Sequence, residues 1–260
     1  MVTIAHASVP TAEDRAPFEH GLALAERAGA KLLSVHANDD PSVEAQMLDA
    51  ADVLRGWGHA TAVEHEKLVH NCCDDPVDTL LDALREAEPD LVVAATHQRK
   101  GVIRVLFESR AEAIAENVKV PTLLVPLDGE GFVTPQGELD LRRLLIPVGD
   151  SVAAKVAIER ATWFVDMARA EDVEVTLLHV GEEGSAPRLT LPDHPRIRWT
   201  QRTVPGVLEE VIGEEAADAC AIVMATRGHD TLGDMVRGSH TERVLRRVHC
   251  PLLSVPVPGH

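Results

Sequence analysis

A segment near the carboxyl end of the chain has the residue types and the spacing needed to hold phosphate. Ala225-Thr-Arg-Gly228 is followed by nine residues and then by Gly238-Ser239. Gly228 allows a ligand to approach the backbone closely, and Gly238-Ser239 would open a helix whose first N–H groups are free to donate. The segment therefore predicts a phosphate cradle that is made largely of backbone groups.

A second set of reactive side chains lies in the first hundred residues, at the ends of four consecutive predicted strands. The set comprises His6, His36, His70 with Cys72, and His97. Parallel strands end at one edge of a sheet, so these groups are expected to meet there. Imidazole and thiolate are ligands that Zn²⁺ prefers, and three or four of them surround a tetrahedral ion. We therefore predict a metal site at this edge, with a redox-sensing thiol or ordinary buried residues as the alternatives.

The chain repeats itself at a constant offset of 130 residues. Residues 91–126 and 221–256 share ten identities over 36 positions without a gap, including an AT pair, S-x-x-E and P-x-L-x-VP. A stretch rich in glycine, proline and acidic residues, DGEGFVTPQGELD (128–140), separates the two halves and is typical of a linker. We predict two domains, residues 1–127 and 141–260.

Each half alternates short apolar runs with amphipathic segments, the pattern of a sheet that has helices on both faces. Strands are predicted at 2–5, 31–36, 63–69, 91–95, 123–125, 144–148, 173–180, 197–204, 221–225 and 252–255. Helices are predicted at 17–28, 43–56, 76–87, 110–117, 151–170, 207–217 and 241–248. The predicted fold class is α/β, with two doubly wound, parallel, Rossmann-like sheets of five strands in tandem. Ligands of such sheets bind at the carboxyl ends of the strands, where the strand order reverses.

The two halves differ at the phosphate segment. At the equivalent positions the first half reads Ala95-Thr-His-Gln98, nine residues, then Glu108-Ser109. Gln98 and Glu108 thus replace both glycines, and a carboxylate at a helix N-terminus would repel phosphate. We expect no nucleotide binding of the usual kind in the first half.

The charge of the chain limits its partners. It has 25 basic and 42 acidic residues and a formal net charge of −17, which argues against nucleic acid and against anionic membranes. No apolar stretch approaches the roughly 20 residues of a membrane helix, and the amino terminus lacks a secretory signal. The four cysteines are too few for a disulfide scaffold. We expect a cytoplasmic protein with reduced thiols.

Four segments together resemble the universal stress protein family: the phosphate segment, LLIPVGDS (144–151), LLHV (177–180) and CPLLSVP (250–256). The resemblance covers nearly the whole chain, twice, and it implies a site for ATP or a related adenine nucleotide in the second half. The residues that match the site of the family are Pro147, Val148, Asp150, Val180, Ala225, Arg227, Gly228, Gly238, Ser239 and His240. The family turn reads P-V-D-G, so Gly149-Asp150 reverses its order, and Ala225 stands where the family motif has its first glycine.

The same resemblance implies a stress-response protein that regulates or binds rather than catalyses. No pairing of a base with a nucleophile is evident, and a slow ATPase or nucleotidyl transferase of the same fold is the alternative. The fifth strands of the family pair around a two-fold axis. Residues 122–125 and 252–255 could pair in this way within the chain. An intramolecular pseudo-dimer and a homodimer of tandem chains are therefore both expected possibilities.

Overall fold

The computed structural model describes residues 1–71, 75–96, 114, 118–127, 131–226, 240–245 and 247–257. The strands of the first half are β1 (Thr3–Ala7), β2 (Lys31–Ala37), β3 (His65–His70), β4 (Leu91–Thr96) and β5 (Thr122–Pro126). Its helices are α1 (Arg15–Ala28), α2 (Ala50–Trp57) and α3 (Pro76–Ala87). The strands of the second half are β6 (Arg143–Pro147), β7 (Val173–Val180), β8 (Ile197–Val204), β9 (Ala221–Thr226) and β10 (Leu252–Pro256). Its helices are α4 (Ser151–Ala168), α5 (Leu208–Glu215) and α6 (His240–Leu245).

One predicted helix is divided in the structure. The segment 43–56 forms a 3-10 turn at Pro41–Gln46 and then α2. The break occurs at Met47, whose backbone is extended. Asp49 then starts a new helix, because its carboxylate accepts hydrogen bonds from the N–H groups of Ala51 and Asp52. The helix predicted at 110–117 lies outside the described residues except for Ile114.

All ten strands form one sheet, in the order β3-β2-β1-β4-β5-β10-β9-β6-β7-β8. Neighbouring strands within each half run parallel. β5 and β10 run antiparallel, with Leu124 opposite Leu252 and Thr122 opposite Ser254. The structure confirms two doubly wound parallel sheets in tandem, and it joins them edge to edge through their fifth strands.

Helices cover both faces of the sheet, which is why most of its strands are apolar on both sides. α1 and α4 lie on one face, where Phe18, Leu22 and Phe164 belong to a single cluster of buried side chains that extends across both halves. α3 and α5 lie on the other face, where Leu84 and Ile212 belong to a second cluster. The core of the protein is therefore two layers that the halves share.

The carboxyl-terminal part of the predicted linker is folded. Residues 131–141, which we call the linker strap, form a small hairpin with a bridge between Val133 and Leu139. The N–H of Asp140 donates to the carbonyl of Phe132 at 2.7 Å. Phe132 is only 2% exposed, and Leu141 is also buried. The strap is thus part of the core, although its composition is typical of an exposed linker.

Candidate functional site

The two halves differ in how far their central strands stay paired. β1 and β4 pair as far as Ala7 and Ala94, whereas β6 and β9 pair no further than Leu145 and Ile222. Pro147 ends β6 and has no N–H to contribute to a ladder. The carboxyl ends of β6 and β9 are therefore unjoined at the point where the strand order reverses. Ligands of doubly wound sheets bind at this point. We call the place between the unpaired ends of β6 and β9 the crevice; in the first half the corresponding strands stay paired for two residues further.

Four of the predicted site residues lie at this carboxyl edge. Pro147 and Val148 follow the paired part of β6, and the N–H of Val148 donates to the carbonyl of Leu178 at 2.8 Å. Val180 is the last residue of β7, and Ala225 is the last but one of β9. Pro147, Val180 and Ala225 are half-buried and Val148 is buried. The edge therefore presents a largely apolar wall beside the crevice.

Equivalent histidines shape this edge in the two halves: His179, which the site prediction omitted, and His36, which was predicted as a metal ligand. His179 donates through Nδ1 to the carbonyl oxygen of Val148 at 2.9 Å, and its Nε2 lies 2.9 Å from Ser185 Oγ in the next loop. In the first half, His36 makes the same bond to the carbonyl of Ser8 at 2.8 Å. Each histidine thus fixes the turn that follows the central strand. The repeated H in LLSVH and VTLLH was the available sequence signal.

Asp150 has a structural role at the start of α4. Its carboxylate accepts hydrogen bonds from the N–H groups of Val152 at 3.0 Å and Ala153 at 2.9 Å, which makes it the N-cap residue. The preceding Gly149 is exposed, and a side chain there would meet no atom within 4 Å. Within this turn, a side chain that faces open space would therefore be the one at residue 149. The family turn P-V-D-G has its aspartate at this position.

The remaining nucleotide-site residues fall in the phosphate segment. Arg227, Gly228, Gly238 and Ser239 lie outside the described residues. His240 is the first residue of α6. The described part of the site therefore consists of the crevice between β6 and β9 and the strand ends around it.

The structure does not support the predicted zinc site. In the ranges that the structure describes, no group of three histidine, cysteine, aspartate or glutamate side chains could hold a metal ion. His6 and His36 are buried and make polar contacts within the fold. His70 is placed apart from them, and Cys72 and His97 lie outside the described residues.

Strand alternation explains why His70 does not meet His6. His6 contacts Phe18 of α1, with their rings 5.4 Å apart, so it faces the first cluster. His70 is two residues after Leu68 on β3, and side chains two residues apart on a strand lie on the same face of the sheet. Leu68 packs against the second cluster, so His70 lies on that face. His6 and His70 therefore lie on opposite faces of the sheet, although both are near strand ends.

Four polar side chains instead form a line through the first half, which we call the buried polar chain: His65, Ser34, His6 and Asp14. His65 Nε2 lies 3.0 Å from Ser34 Oγ, which lies 3.4 Å from His6 Nδ1. His6 Nε2 lies 3.1 Å from Asp14 Oδ1, a close polar contact rather than a well-aligned hydrogen bond. His6 is 0% and Asp14 2% exposed. His6, Ser34 and Asp14 are therefore in the interior of the fold, and His65 is half-buried.

The direction of these bonds follows from one backbone donor. The N–H of Ala50 donates to His65 Nδ1 at 3.3 Å, so the ring carries its proton on Nε2 and donates to Ser34. Ser34 then donates to His6 Nδ1, which places the proton of His6 on the nitrogen facing Asp14. Burial, with a smaller effect of nearby Lys67, lowers the pKa of His65 to about 4. A neutral His65 is consistent with its role as an acceptor.

The second half has apolar side chains at the corresponding places. His6 is opposite Ser34, just as Ile146 is opposite Leu177. On the next strand, His65 is opposite Leu32 and Trp199 is opposite Val175. Leu32 lies two residues before Ser34, and Val175 lies two residues before Leu177. The counterparts of His6, Ser34 and His65 are therefore Ile146, Leu177 and Trp199. The two halves have the same strand register here, but the first half has polar side chains at these three positions and the second half has largely apolar ones.

Asp14 also closes the carboxyl edge of the first half. Its carboxylate accepts hydrogen bonds from Ser8 Oγ at 2.7 Å and from the N–H of Val9 at 2.9 Å. These bonds tie the turn after β1 onto the core. In the second half the counterpart of Asp14 is Ala154, which has no carboxylate to bind the turn after β6. That turn is held by His179 instead.

Comparison with known proteins agrees with this architecture. Residues 9–126 and 188–256 match the model of the universal stress protein family. The match leaves out β6, α4 and β7, which the structure shows as the counterparts of β1, α1 and β2. The sequence has no significant match among curated proteins.

Solved structures match the whole tandem arrangement. A universal stress protein from Archaeoglobus fulgidus is 19% identical with a TM-score of 0.64, covering 98% of this chain and 96% of that one. A functionally unknown protein from Pseudomonas aeruginosa is 13% identical with a TM-score of 0.62, covering 98% and 92%. In the described part of the chain, no helix is long and apolar enough to cross a membrane. On the strength of the two matched segments, the chain belongs to the universal stress protein family, with two copies of the fold in tandem.

Proposed function

We propose that the protein is a nucleotide-binding regulatory protein, with one site for ATP or a related adenine nucleotide in its second half. The observation that carries the proposal is the early end of the pairing between β6 and β9 at Leu145 and Ile222. This opens the strand edge at the position where doubly wound sheets hold ligands. The phosphate segment begins at Ala225 within β9 and continues in the sequence to Ser239. Its two glycines lie outside the described residues, so their part in the proposal rests on the sequence alone.

The charge of the protein determines how such a ligand would be held. A net charge of −17 opposes the approach of a triphosphate. Local donors must therefore provide the attraction, and the backbone N–H groups around Gly228 and Gly238 are suited to this because they need no net positive charge. The apolar wall of Pro147, Val148 and Val180 is suited to a flat base. This combination favours a nucleotide over a simple anion.

The proposal assigns a single site to the tandem chain. In the first half, Gln98 and Glu108 replace the glycines, and β1 and β4 stay paired as far as Ala7 and Ala94. The first half would then act as the structural partner of the nucleotide-binding half. Binding to the full chain is expected to have a stoichiometry of one.

The test replaces a phosphate-segment glycine with a carboxylate. Gly228→Glu is expected to weaken ATP binding by more than about 100-fold, because like charges in contact cost several kcal/mol. Calorimetry on nucleotide-free full-length protein measures this, and the wild type should bind one equivalent. The matched control is Gln98→Glu at the equivalent position of the first half, which should leave binding unchanged. Equal binding by Gly228→Glu and wild type would reject the proposed site.

Removing the Asp150 carboxylate separates helix capping from ligand binding. Asp150→Ala is expected to lower the free energy of unfolding by about 1 kcal/mol, the usual worth of an N-cap, while the affinity for ATP changes less than twofold. Urea unfolding and calorimetry measure the two effects. Asp75→Ala is the control, since Asp75 caps α3 through the N–H of Val77 at 2.7 Å. A tenfold loss of affinity in Asp150→Ala alone would instead place this carboxylate on the ligand. The alternative of a slow ATPase has a separate test: it predicts phosphate release above a no-enzyme control that Asp150→Ala abolishes.

A further inference from the structure

His20 of α1 is buried beneath the linker strap, and both of its ring nitrogens are occupied. Nδ1 donates to the carbonyl oxygen of Ala16 at 2.7 Å. Nε2 accepts a hydrogen bond from the N–H of Phe132 at 3.2 Å. This pairing requires the neutral ring with its proton on Nδ1, because a second proton on Nε2 would face another donor. The strap is therefore held by one specific form of the imidazole.

The strap fits closely around that ring. A side chain at Gly131 would place its Cβ 2.2 Å from His20 Cε1. The ring of Phe132 meets His20 edge to face at 4.6 Å and meets Phe164 of α4 at 5.9 Å. Phe132 thus fills the space between a helix of the first half and a helix of the second. Any displacement of the strap at His20 would open the contact between the halves.

No charged side chain among the described residues compensates a proton on His20. On α1, Arg15 and Glu19 pair with each other at 2.8 Å. In the strap, Glu138 pairs with Arg27 at 3.3 Å and approaches His59 at 4.0 Å. Glu26 of α1 pairs with His59, and Asp140 of the strap pairs with Arg142. On α4, Asp166 pairs with Arg196, and Lys155, Glu159 and Arg160 are exposed. Asp128 and Glu130, which precede Gly131, lie outside the described residues.

Burial lowers the pKa of His20 from 6.5 to about 4, and only the bond to Ala16 opposes this effect. With the strap displaced, the ring would regain its ordinary pKa and bind a proton about 300-fold more tightly. The open form therefore takes up protons in the window between these two values. The free energy that favours the closed strap is therefore at its full value above pH 6.5, and it decreases as the pH falls from 6.5 towards 4.

We propose that His20 is an acid-sensitive latch: protonation of Nε2 removes the acceptor for the Phe132 N–H, releases the linker strap and loosens the contact between the two halves. The latch is independent of nucleotide binding. It uses α1, the strap and α4, and none of the strand ends at the candidate site. The strap would act as the moving part, while the sheet, with β5 and β10 paired, holds the halves together.

Hydrogen exchange on the full-length protein from pH 7 to pH 4 tests the latch. Mass spectrometry reports the protection of residues 131–141 and of β9, each normalised to its intrinsic exchange rate. From the ordinary pKa of 6.5 and the buried pKa of about 4, protection of the strap should fall by about 20-fold at pH 5 and by about 120-fold at pH 4, relative to pH 7. Protection of β9 should change much less. Unchanged strap protection at pH 4, or parallel loss in the strap and β9, would overturn the proposal.

Two variants separate His20 from other titrating groups. In His20→Gln, the side-chain carbonyl can accept from Phe132 at any pH, so the acid-induced release should disappear. His59→Gln removes the other imidazole near the strap and should leave the release intact. If His20→Gln fails to fold, ¹⁵N shifts of the His20 ring in the wild type give the same test. The ring should gain a proton on Nε2 in step with strap release, and release with a neutral ring would refute the latch.

Discussion

Phe132→Ala is expected to lower the free energy of unfolding by about 3–5 kcal/mol, the usual cost of emptying a buried aromatic site. Phe132 is 2% exposed and contacts His20 on one side and Phe164 on the other. Neither helix can close the space, because α1 and α4 are each held against the sheet by their own buried side chains. The cavity would therefore lie between the halves, and the unfolding of the two halves should become less cooperative.

Urea unfolding followed by circular dichroism, together with calorimetry, measures both effects. The matched control is Val133→Ala, a half-buried residue of the same strap, which should cost less than about 1 kcal/mol. A loss below 1 kcal/mol in Phe132→Ala, with a single unchanged transition, would show that the strap does not couple the halves.

Asp14→Ala is expected to cost a similar amount, about 3–5 kcal/mol, because it leaves two hydrogen-bond donors without their charged acceptor, at about 1.5–3 kcal/mol for each bond. The carboxylate is the acceptor for Ser8 Oγ and the N–H of Val9, and it lies against His6 Nε2. All of these groups would lose their partner in the core. The turn after β1 would also be released, so its amide protection should fall more than that of β2.

The second half indicates how the loss can be recovered. Ile146 and Val148 stand at the places of His6 and Ser8, and Ala154 stands at the place of Asp14 when α4 is aligned with α1. The triple variant His6→Ile, Ser8→Val, Asp14→Ala should therefore regain part of the stability lost in Asp14→Ala, since it replaces the two side chains that contacted the carboxylate by hydrocarbon. The N–H of Val9 and the hydroxyl of Ser34 would still lack their acceptors, so the recovery should be incomplete. Chemical unfolding of the single and triple variants measures this. A triple variant less stable than Asp14→Ala would contradict the account.

The strand and helix assignments were largely predictable because they depend on local pattern. The predicted strands 173–180 and 197–204 and the helix 76–87 agree with the structure at both ends. The helix predicted at 43–56 was wrong in its middle. There, the capping by Asp49 and the extended backbone at Met47 override the apolar spacing. The pairing of the fifth strands was also predictable, from the repeat and the family resemblance together.

The histidine-rich edge was harder to interpret. Its members are near strand ends, as expected, but a strand end does not determine the face on which a side chain lies. His6 faces α1, and His70 has the parity of the opposite face. The partner of His6, Asp14, has no distinguishing pattern in the sequence. Its counterpart position in the second half is an ordinary alanine, so only the fold shows why the carboxylate is there.

The sequence by itself determined the tandem repeat, the α/β class and the loss of phosphate-segment glycines in the first half, because identity at fixed offset and hydrophobic period are properties of the chain. Only the tertiary structure decided that the linker strap is buried, that β6 and β9 separate after Leu145, and that Asp14 closes the opposite edge. These features depend on register and on contacts between residues far apart in sequence. Amino-acid composition does not predict such contacts, because the same glycine and acidic residues can form either an exposed linker or a strap that packs over His20.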